Sequence, residues 1–203
     1  MNILVVGLGL IGGSLCKALK KYTNHFVVGS DLNHDIEEAV LRDVAVDDVF
    51  RGDYSGFDIV IMALYPDIAE KYIRENISAM DKNTLITDVC GIKGKFSENM
   101  KKLADENGMK YIGIHPMAGK EFGGYSNSTA DLFCKANFII APHEDSLNED
   151  VEKLKNLAEE IGAGKIVITS PENHDRMIAY TSQLAHIVSS AYVKSPELEL
   201  ECG

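Results

Sequence analysis

The sequence is poor in the features that mark several classes of protein. Its 203 residues include five prolines and seventeen glycines, far below the levels of collagen-like or low-complexity chains. Apolar residues make up 45% of the chain, too many for a protein that stays disordered because it cannot bury enough surface. We therefore expect a folded globular chain of one large domain, or of one domain with an appendage.

Cysteines, basic clusters and long apolar runs are scarce as well. The four cysteines lie far apart, form no CxxC pair and have no histidine at metal-ligand spacing, so we expect reduced cytoplasmic thiols and no metal. Twenty Lys and Arg against thirty-one Asp and Glu give a net charge of −11, which repels nucleic acid. Residues 1–19 are apolar, but four glycines interrupt them and no basic residue precedes Lys17. We expect neither a secretory signal nor a membrane partner.

What the sequence does contain is an alternation of apolar runs and helical stretches. Apolar runs bounded by Gly or Asp predict seven strands, at residues 2–6, 26–30, 59–63, 84–87, 110–114, 137–141 and 165–169. The runs ILVV and FDIVIMAL are apolar throughout, as in central strands that helices cover on both faces. The sequence predicts an α/β fold with a doubly wound, mostly parallel Rossmann-type sheet, followed by one long helix over residues 172–193.

A glycine-rich loop follows the first predicted strand and opens a helix. Glycines in such a loop permit a tight turn, close approach of the backbone to a pyrophosphate, and close packing of helix on strand. Asp31 ends the second strand 24 positions after Gly7, and a carboxylate there accepts hydrogen bonds from ribose hydroxyls and repels a 2′-phosphate. The alternative is a glycine turn followed by an Asp that only caps a loop. The coincidence of the three features favours a site for NAD rather than NADP.

In doubly wound sheets the ligand lies outside the carboxyl ends of the strands, so residues that follow other strands complete the predicted cofactor site. The predicted NAD-binding residues are Gly7, Gly9, Leu10, Ile11, Gly12, Asp31, Ala63, Leu64, Pro66 and Cys90. His115 ends the fifth predicted strand and precedes a proline. An imidazole at that place can face the cofactor and titrates near neutral pH, which makes His115 the candidate general base.

The five other histidines have structural explanations. His25, His34 and His143 lie in loops or at the ends of elements, where we expect them to be solvated. His174 lies in the first turn of the long helix, where we expect it only to shape the domain junction. His186 lies near the apolar face of that helix, where a hydrogen-bonded core histidine is the alternative to a substrate ligand.

Taken together, these residues resemble the prephenate dehydrogenases of tyrosine biosynthesis. The resemblance rests on GLGLIGGS at 7–14, TDVCGIKG at 87–94, IHPMAGKEFGG at 114–124, LF at 132–133 and HDRMIAYTSQLAH at 174–186. It implies NAD-dependent oxidative decarboxylation of prephenate to 4-hydroxyphenylpyruvate. His115 matches the family's catalytic histidine, which takes the proton from the ring hydroxyl while hydride leaves the same carbon.

The resemblance also implies a substrate site, and two of its positions depart from the family. His186 matches a position that lines the substrate pocket, and Ser182 matches the serine of a Ser-His-x-x-His pattern. The family often has Ser where this chain has Gly91, and His where it has Gln183. We include all four residues in the predicted substrate site.

The resemblance further implies that several helices follow the long one, complete the pocket, build the dimer and supply an Arg for a substrate carboxylate. This sequence ends at Gly203, with no Lys or Arg after Pro196, so that cation is expected earlier in the chain or from a partner. We assign residues 1–170 to a dinucleotide-binding domain and 171–203 to the start of a helical substrate and dimerisation domain. A lone amphipathic helix leaves an apolar stripe exposed, which predicts a homodimer through this helix.

Three other functions stay open at this point. The substrate could be arogenate, the amino analogue of prephenate. The chain could instead be an NAD-binding, dimerising module without a competent substrate pocket. The glycine loop alone also fits a dehydrogenase for another small acid.

Overall fold

The fold is described from a computed structural model, which covers residues 1–194 apart from the side chains of Gln183, Ala185 and His186. The strands are β1 (Asn2–Val6), β2 (Phe26–Ser30), β3 (Asp48–Val49), β4 (Ile59–Met62), β5 (Leu85–Asp88), β6 (Lys110–Tyr111), β7 (Gly113–Pro116), β8 (Phe138–Ala141) and β9 (Ile166–Ile168). The helices are α1 (Leu10–Tyr22), α2 (His34–Arg42), α3 (Pro66–Asn76), α4 (Gly94–Glu106), α5 (Asn148–Glu160), α6 (Pro171–Ile178) and α7 (Leu184–Val193). A π-helical turn, Ala179–Gln183, joins α6 to α7.

Six strands form one parallel sheet in the order β3-β2-β1-β4-β5-β6. The apolar strands β1 and β4 lie at its centre, with Ile3 opposite Ile59. Side chains such as Leu4 and Val60 pack beneath α3 and α4, whereas alternate residues pack beneath α1, α2 and α5. The direction of winding reverses between β1 and β4, which confirms the doubly wound Rossmann arrangement.

The chain leaves this sheet at Ile112, where the sequence predicted an uninterrupted strand over 110–114. Ile112 still donates its amide to Ile86 O at 3.1 Å, but Gly113 pairs with Ala141 in a second sheet of order β7-β8-β9. In that sheet β7 and β8 are antiparallel, and β8 and β9 are parallel. The single strand is therefore wrong, and His115 lies within β7 instead of after a strand of the main sheet.

The other strand boundaries agree with the sequence to within about one residue, except that β3 was not predicted. This strand has two residues, Asp48 and Val49, and therefore shows no periodicity. Its pairing with β2, Val28 opposite Asp48, exists only because the loop after α2 returns to the edge of the sheet.

The predicted single helix over 172–193 is interrupted by the π-helical turn. The hydroxyl of Thr181 in this turn donates to the carbonyl of Met177 at 2.8 Å, a side-chain bond that competes with regular helical pairing. Helix α6 packs on α4 and β8 and buries His174 and Ile178. The apolar side chains that follow are exposed: Tyr180, Leu184, Ile187, Val188, Tyr192 and Val193. No helix within residues 1–194 is both long and apolar enough for a membrane span.

Candidate active site

The glycine loop connects β1 to α1 in a conformation that only glycine permits. Gly7 has a φ of +92°, and a Cβ there would lie 2.5 Å from the carbonyl oxygen of Ala63. A Cβ at Gly12 would lie 1.8 Å from the carbonyl oxygen of Gly7, so helix α1 packs directly on the loop. At Gly9, by contrast, no described atom lies within 4 Å of the place a Cβ would occupy. The N-terminus of α1 is therefore open to a ligand, and its free amides favour an anion.

A cleft of about 450 Å³ opens above this loop, at the carboxyl ends of β1, β2 and β4. Seven of the ten predicted cofactor residues line it, namely Gly7, Gly9, Leu10, Ile11, Asp31, Ala63 and Leu64. The other three lie beside the cleft: Gly12 beneath the loop, Pro66 at the start of α3, and Cys90, whose thiol donates to Leu64 O at 3.4 Å. The sequence interpretation missed Tyr65, Ile68, Val89, Gly123 and Gly124, which also line the cleft.

Asp31 lies at the edge of the cleft with a second carboxylate behind it. Its two oxygens accept the amides of Leu8, at 2.8 Å, and Asn33, at 3.0 Å. Glu37, only 8% exposed, accepts the amide of Asp31 at 3.4 Å. The sequence interpretation missed Glu37. Two negative charges at this edge of the cleft disfavour a phosphate group there.

His115 projects from β7 and forms a hydrogen-bonded chain with two residues of α6. Its Nδ1 atom lies 2.9 Å from Nε2 of His174, and Nδ1 of His174 lies 2.7 Å from Oδ1 of Asp175. Because an ionised carboxylate only accepts hydrogen bonds, the proton of a neutral His174 belongs on Nδ1. His174 then accepts at Nε2, and His115 donates from Nδ1. The hydrogen-bond partners thus assign the free lone pair of His115 to Nε2.

Both imidazoles are held in the neutral form. The pKa of His115 is lowered to about 4, chiefly by burial and also by the neighbouring His174 and the Lys93 ammonium, against the opposing effect of Asp88 and Asp175. Burial also lowers the pKa of His174, although its hydrogen bond to Asp175 acts in the opposite direction. At neutral pH the Nε2 atom of His115 is therefore available to accept a proton.

Gly91 connects this imidazole to the dinucleotide cleft. A Cβ at Gly91 would lie 3.6 Å from Nε2 of His115, an ordinary contact distance, so residue 91 faces the free lone pair. Val89, two residues earlier, lines the cleft. The turn 89–91 after β5 therefore links a residue that lines the cleft, Val89, to one that lies next to Nε2 of His115, Gly91.

The remaining predicted substrate residues lie near the π-helical turn. Ser182 is half-buried within it. The backbones of Gln183 and His186 lie in the turn and in α7, but their side chains are outside the described residues. The roles of Gly91, Ser182, Gln183 and His186 stay predictions.

Three of the expectations for histidines are wrong. His25, with a side chain only 13% exposed and hydrogen-bonding partners at both ring nitrogens, is not solvated. His174 is fully buried and contacts His115, so its role is larger than shaping a junction. His143 is half-buried, and its Nε2 atom lies 3.0 Å from the hydroxyl of Ser97, so it is not solvated. The sequence did contain a signal for the role of His174. Asp175 follows it directly at the start of the segment HDRMIAYTSQLAH, so a carboxylate lies beside an imidazole in the first turn of a helix.

The described cysteines form no disulfide. Cys16, Cys90 and Cys134 are free thiols. Within the described part of the chain, no three His, Cys, Asp or Glu residues are placed so that they could hold a metal ion.

Comparison with known proteins identifies the family. The family described as "Prephenate dehydrogenase, nucleotide-binding domain" matches residues 15–167. Prephenate dehydrogenase of Bacillus subtilis is 32% identical over 197 residues, which are 95% of this chain and 53% of the relative. Cyclohexadienyl dehydrogenase of Zymomonas mobilis is 28% identical, over 93% of this chain and 64% of that protein. The chain thus spans about half the length of the Bacillus relative.

Solved structures have the same fold. Arogenate dehydrogenase of Synechocystis has a TM-score of 0.84 and 26% identity, over 98% of this chain and 72% of that one. Prephenate dehydrogenase of A. aeolicus, solved with hydroxyphenyl propionate and NAD+, has a TM-score of 0.86 and 24% identity, over 97% of this chain and 71% of that one. From the match over residues 15–167 and the 32% identity to the Bacillus enzyme, we conclude that the chain belongs to the prephenate dehydrogenase family.

Proposed function

We propose that the protein catalyses the NAD-dependent oxidative decarboxylation of prephenate to 4-hydroxyphenylpyruvate. The observation that carries this proposal is the position of Gly91, which faces the free Nε2 atom of His115 on a turn whose Val89 lines the dinucleotide cleft. A general base and a hydride acceptor have to reach the same substrate carbon and its hydroxyl. The relatives from Bacillus subtilis and Lactococcus lactis that bear the name prephenate dehydrogenase support the assignment.

The cleft fits NAD in shape and charge. The open N-terminus of α1 at Gly9, with the amides of Leu10 and Ile11, would hold the pyrophosphate, and Asp31 would accept the ribose hydroxyls. When bound, NAD+ supplies the hydride acceptor. The apolar lining from Ala63 and Leu64 excludes water from one wall of the cleft.

His115 carries the proton chemistry. Its Nε2 atom accepts the proton of the ring hydroxyl while the hydride leaves the carbon that bears that hydroxyl. Hydride loss leaves a ring ketone. The bond to the ring carboxylate then breaks, CO2 departs, the electron pair of that bond passes through the ring to the ketone oxygen, and this oxygen takes the proton back from His115 to give the aromatic hydroxyl. The positive charge that develops on His115 is stabilised through its Nδ1 proton by His174, which Asp175 orients.

The relatives leave a second substrate, arogenate, as the alternative. The Synechocystis structure is named an arogenate dehydrogenase, and the Zymomonas relative a cyclohexadienyl dehydrogenase. Prephenate and arogenate differ in the side chain, not at the ring carbon that reacts, so His115 would perform the same proton transfer on either.

A homodimer and a cytoplasmic location complete the proposal. The exposed apolar side chains after Ile178, among them Tyr180 at 73% and Ile187 at 64% exposure, form a surface that a second copy of α7 would cover. The free thiols of Cys16, Cys90 and Cys134 are in keeping with a reducing compartment.

The direct test is a turnover assay with both substrates. Purified protein is mixed with NAD and either prephenate or arogenate, and NADH absorbance is recorded. We expect NADH with prephenate, loss of turnover in His115→Asn with NAD affinity retained, and normal turnover in His25→Gln, a histidine distant from the cleft. NAD binding without turnover of either substrate would instead indicate an NAD-binding module.

A further inference from the structure

A buried ion pair lies beside the site and has no part in the proton transfer described above. Lys93 and Asp88 are each 0% exposed, and Nζ of Lys93 lies 2.6 Å from Oδ1 of Asp88. The ammonium also donates to the carbonyl oxygen of Cys90 at 2.9 Å. Burying two charges carries a large desolvation cost, and apolar residues of similar size often stabilise a fold equally well. The pair therefore calls for an explanation other than stability.

The ion pair binds the 89–91 turn, which faces His115, through two backbone groups of Cys90. The ammonium binds the carbonyl of Cys90, while Oδ1 of Asp88 accepts the amide of Cys90 at 2.8 Å. The hydroxyl of Tyr111 donates to Oδ2 of Asp88 at 2.6 Å, so the carboxylate itself is fixed. Both backbone polar groups of Cys90, the residue before Gly91, are thus bound to one buried pair.

Lys93 also contacts the elements that carry the two imidazoles. Its backbone amide donates to Oδ1 of Asp175 at 2.7 Å, the same oxygen that orients His174. A Cβ at Gly113 would lie 2.8 Å from Cδ of Lys93, so the lysine stem passes against the first residue of β7, two positions before His115. One residue therefore touches the 89–91 turn, strand β7 and the Asp175 carboxylate.

We propose that Lys93 is a positioning residue that holds Gly91 at a fixed distance from His115 by binding the Cys90 carbonyl. The inference rests on the proposed function and extends it to a residue that contacts neither cofactor nor substrate. With Cys90 bound at both its amide and its carbonyl, the adjacent Gly91 keeps a fixed position relative to Nε2 of His115. The same ammonium contributes, after burial and the neighbouring His174, to the low pKa of His115.

Two variants distinguish a positioning role of Lys93 from a role only in neutralising the buried carboxylate of Asp88. Lys93→Met leaves Asp88 buried without a cation, so we expect a lower melting temperature. The double variant Asp88→Asn with Lys93→Met removes both charges and is expected to recover most of that stability, yet the Cys90 carbonyl still lacks its donor. For the double variant we expect NAD affinity within about threefold of wild type, kcat at least about tenfold lower, and KM changed less than kcat.

A second readout does not depend on turnover. The charged and titratable groups that act on His115 are Lys93, Asp88, Asp175 and His174. Without the Lys93 ammonium, we expect the titration midpoint of the His115 ring, followed by NMR, to move upward from about 4. Lys110→Met is the matched control, because Lys110 also pairs with a buried carboxylate, Asp150, but lies outside the site. It should leave both kcat and the midpoint unchanged.

The variants also distinguish failure of this proposal from failure of the proposed function. If wild-type protein turns over neither substrate, the proposed function fails, and the His115 midpoint of Lys93→Met, in which Asp88 keeps its charge, still reports whether the Lys93 ammonium acts on the site. Should the double variant not fold, Gly113→Ala displaces the lysine stem with both charges kept, and the same loss of kcat is expected. Wild-type kcat in the double variant, together with an unmoved midpoint in Lys93→Met, would overturn the proposal.

Discussion

The Nδ1 atom of His115 lies 2.9 Å from Nε2 of His174, although the two residues are 59 positions apart in the chain. This contact joins strand β7 of the second sheet to helix α6. Because Asp175 holds the far side of His174, it also decides which nitrogen of His115 is free to act as a base. Most of the tests below follow from this arrangement and from the cleft beside it.

The first test removes the partner of His115. His174→Phe eliminates the acceptor for the Nδ1 proton, so the imidazole loses its fixed tautomer and kcat should fall roughly 100-fold, within the range of general base contributions. His174→Gln keeps a carbonyl acceptor and should retain more activity. NMR of ring nitrogens should show the Nδ1–H form of His115 in wild type and a mixture in His174→Phe. Turnover of His174→Phe within twofold of wild type would exclude this role.

The second test compares two glycines of the same loop. Gly12→Ala places a Cβ 1.8 Å from the Gly7 carbonyl oxygen, so we expect a loss of stability of at least about 1–3 kcal/mol and no NAD binding. Gly9→Ala meets open space and should fold normally, but its methyl group occupies the ligand side and should weaken NAD. Melting temperature and calorimetric titration measure the two effects. Equal melting temperatures for both variants would contradict the packing described at Gly12.

The third test concerns the choice between NAD and NADP. Asp31→Asn removes a charge and leaves one oxygen, which can still accept the Leu8 amide, so the glycine loop should persist although the exposed Asn33 amide loses its acceptor. We expect NAD to bind about tenfold more weakly, by the loss of charge-assisted hydrogen bonds, while NADP gains little because Glu37 remains. Asp35→Asn, an exposed carboxylate of α2, is the control. Unchanged preference in Asp31→Asn, measured by the dissociation constants of both dinucleotides, would remove Asp31 from the site.

The fourth test is the dependence of stability on pH. Burial lowers the pKa values of His115, His174 and His143 below the unfolded value near 6.5, so the unfolded chain binds more protons between those pKa values. The three histidines should therefore not lower the free energy of unfolding above about pH 6.5. On acidification from there toward pH 4, each should lower it by at most about 1.4 kcal/mol per pH unit. Urea unfolding of wild type and His115→Asn at several pH values measures this. The free energy of unfolding should depend less steeply on pH in the variant than in wild type. Equal slopes would argue against a depressed pKa of His115.

The fifth test addresses the exposed face of α7. Ile187→Glu introduces a charge into the apolar surface, whereas Ser189→Glu adds the same charge at an exposed polar position of the same helix. We expect wild type and Ser189→Glu to sediment as dimers at micromolar concentration and Ile187→Glu as a monomer. A monomeric wild type would refute the dimer.

Much of the lining of the cleft could be predicted because its residues belong to short segments with their own physical signatures. The loop from Gly7 to Gly12 needs glycine for its close contacts, and Asp31 follows from the spacing of β1 and β2. His115 could be singled out by its proline and by the motif that contains it. The partner His174 could not, because a histidine in a helical first turn is ordinary until the helix is docked.

The sequence by itself determined the alternating strands and helices, the glycine loop and the acidic residue at its ribose end, since each depends on neighbours within a few residues. Only the tertiary structure decided that the chain switches sheets at Ile112, that Asp175 and His174 set the tautomer of His115, and that Lys93 is buried on Asp88. Each of these features depends on groups that are distant in the sequence and are buried against one another in the fold. Burial determines which nitrogen of an imidazole carries the proton and which charges must be paired. A local sequence pattern does not encode which groups become buried.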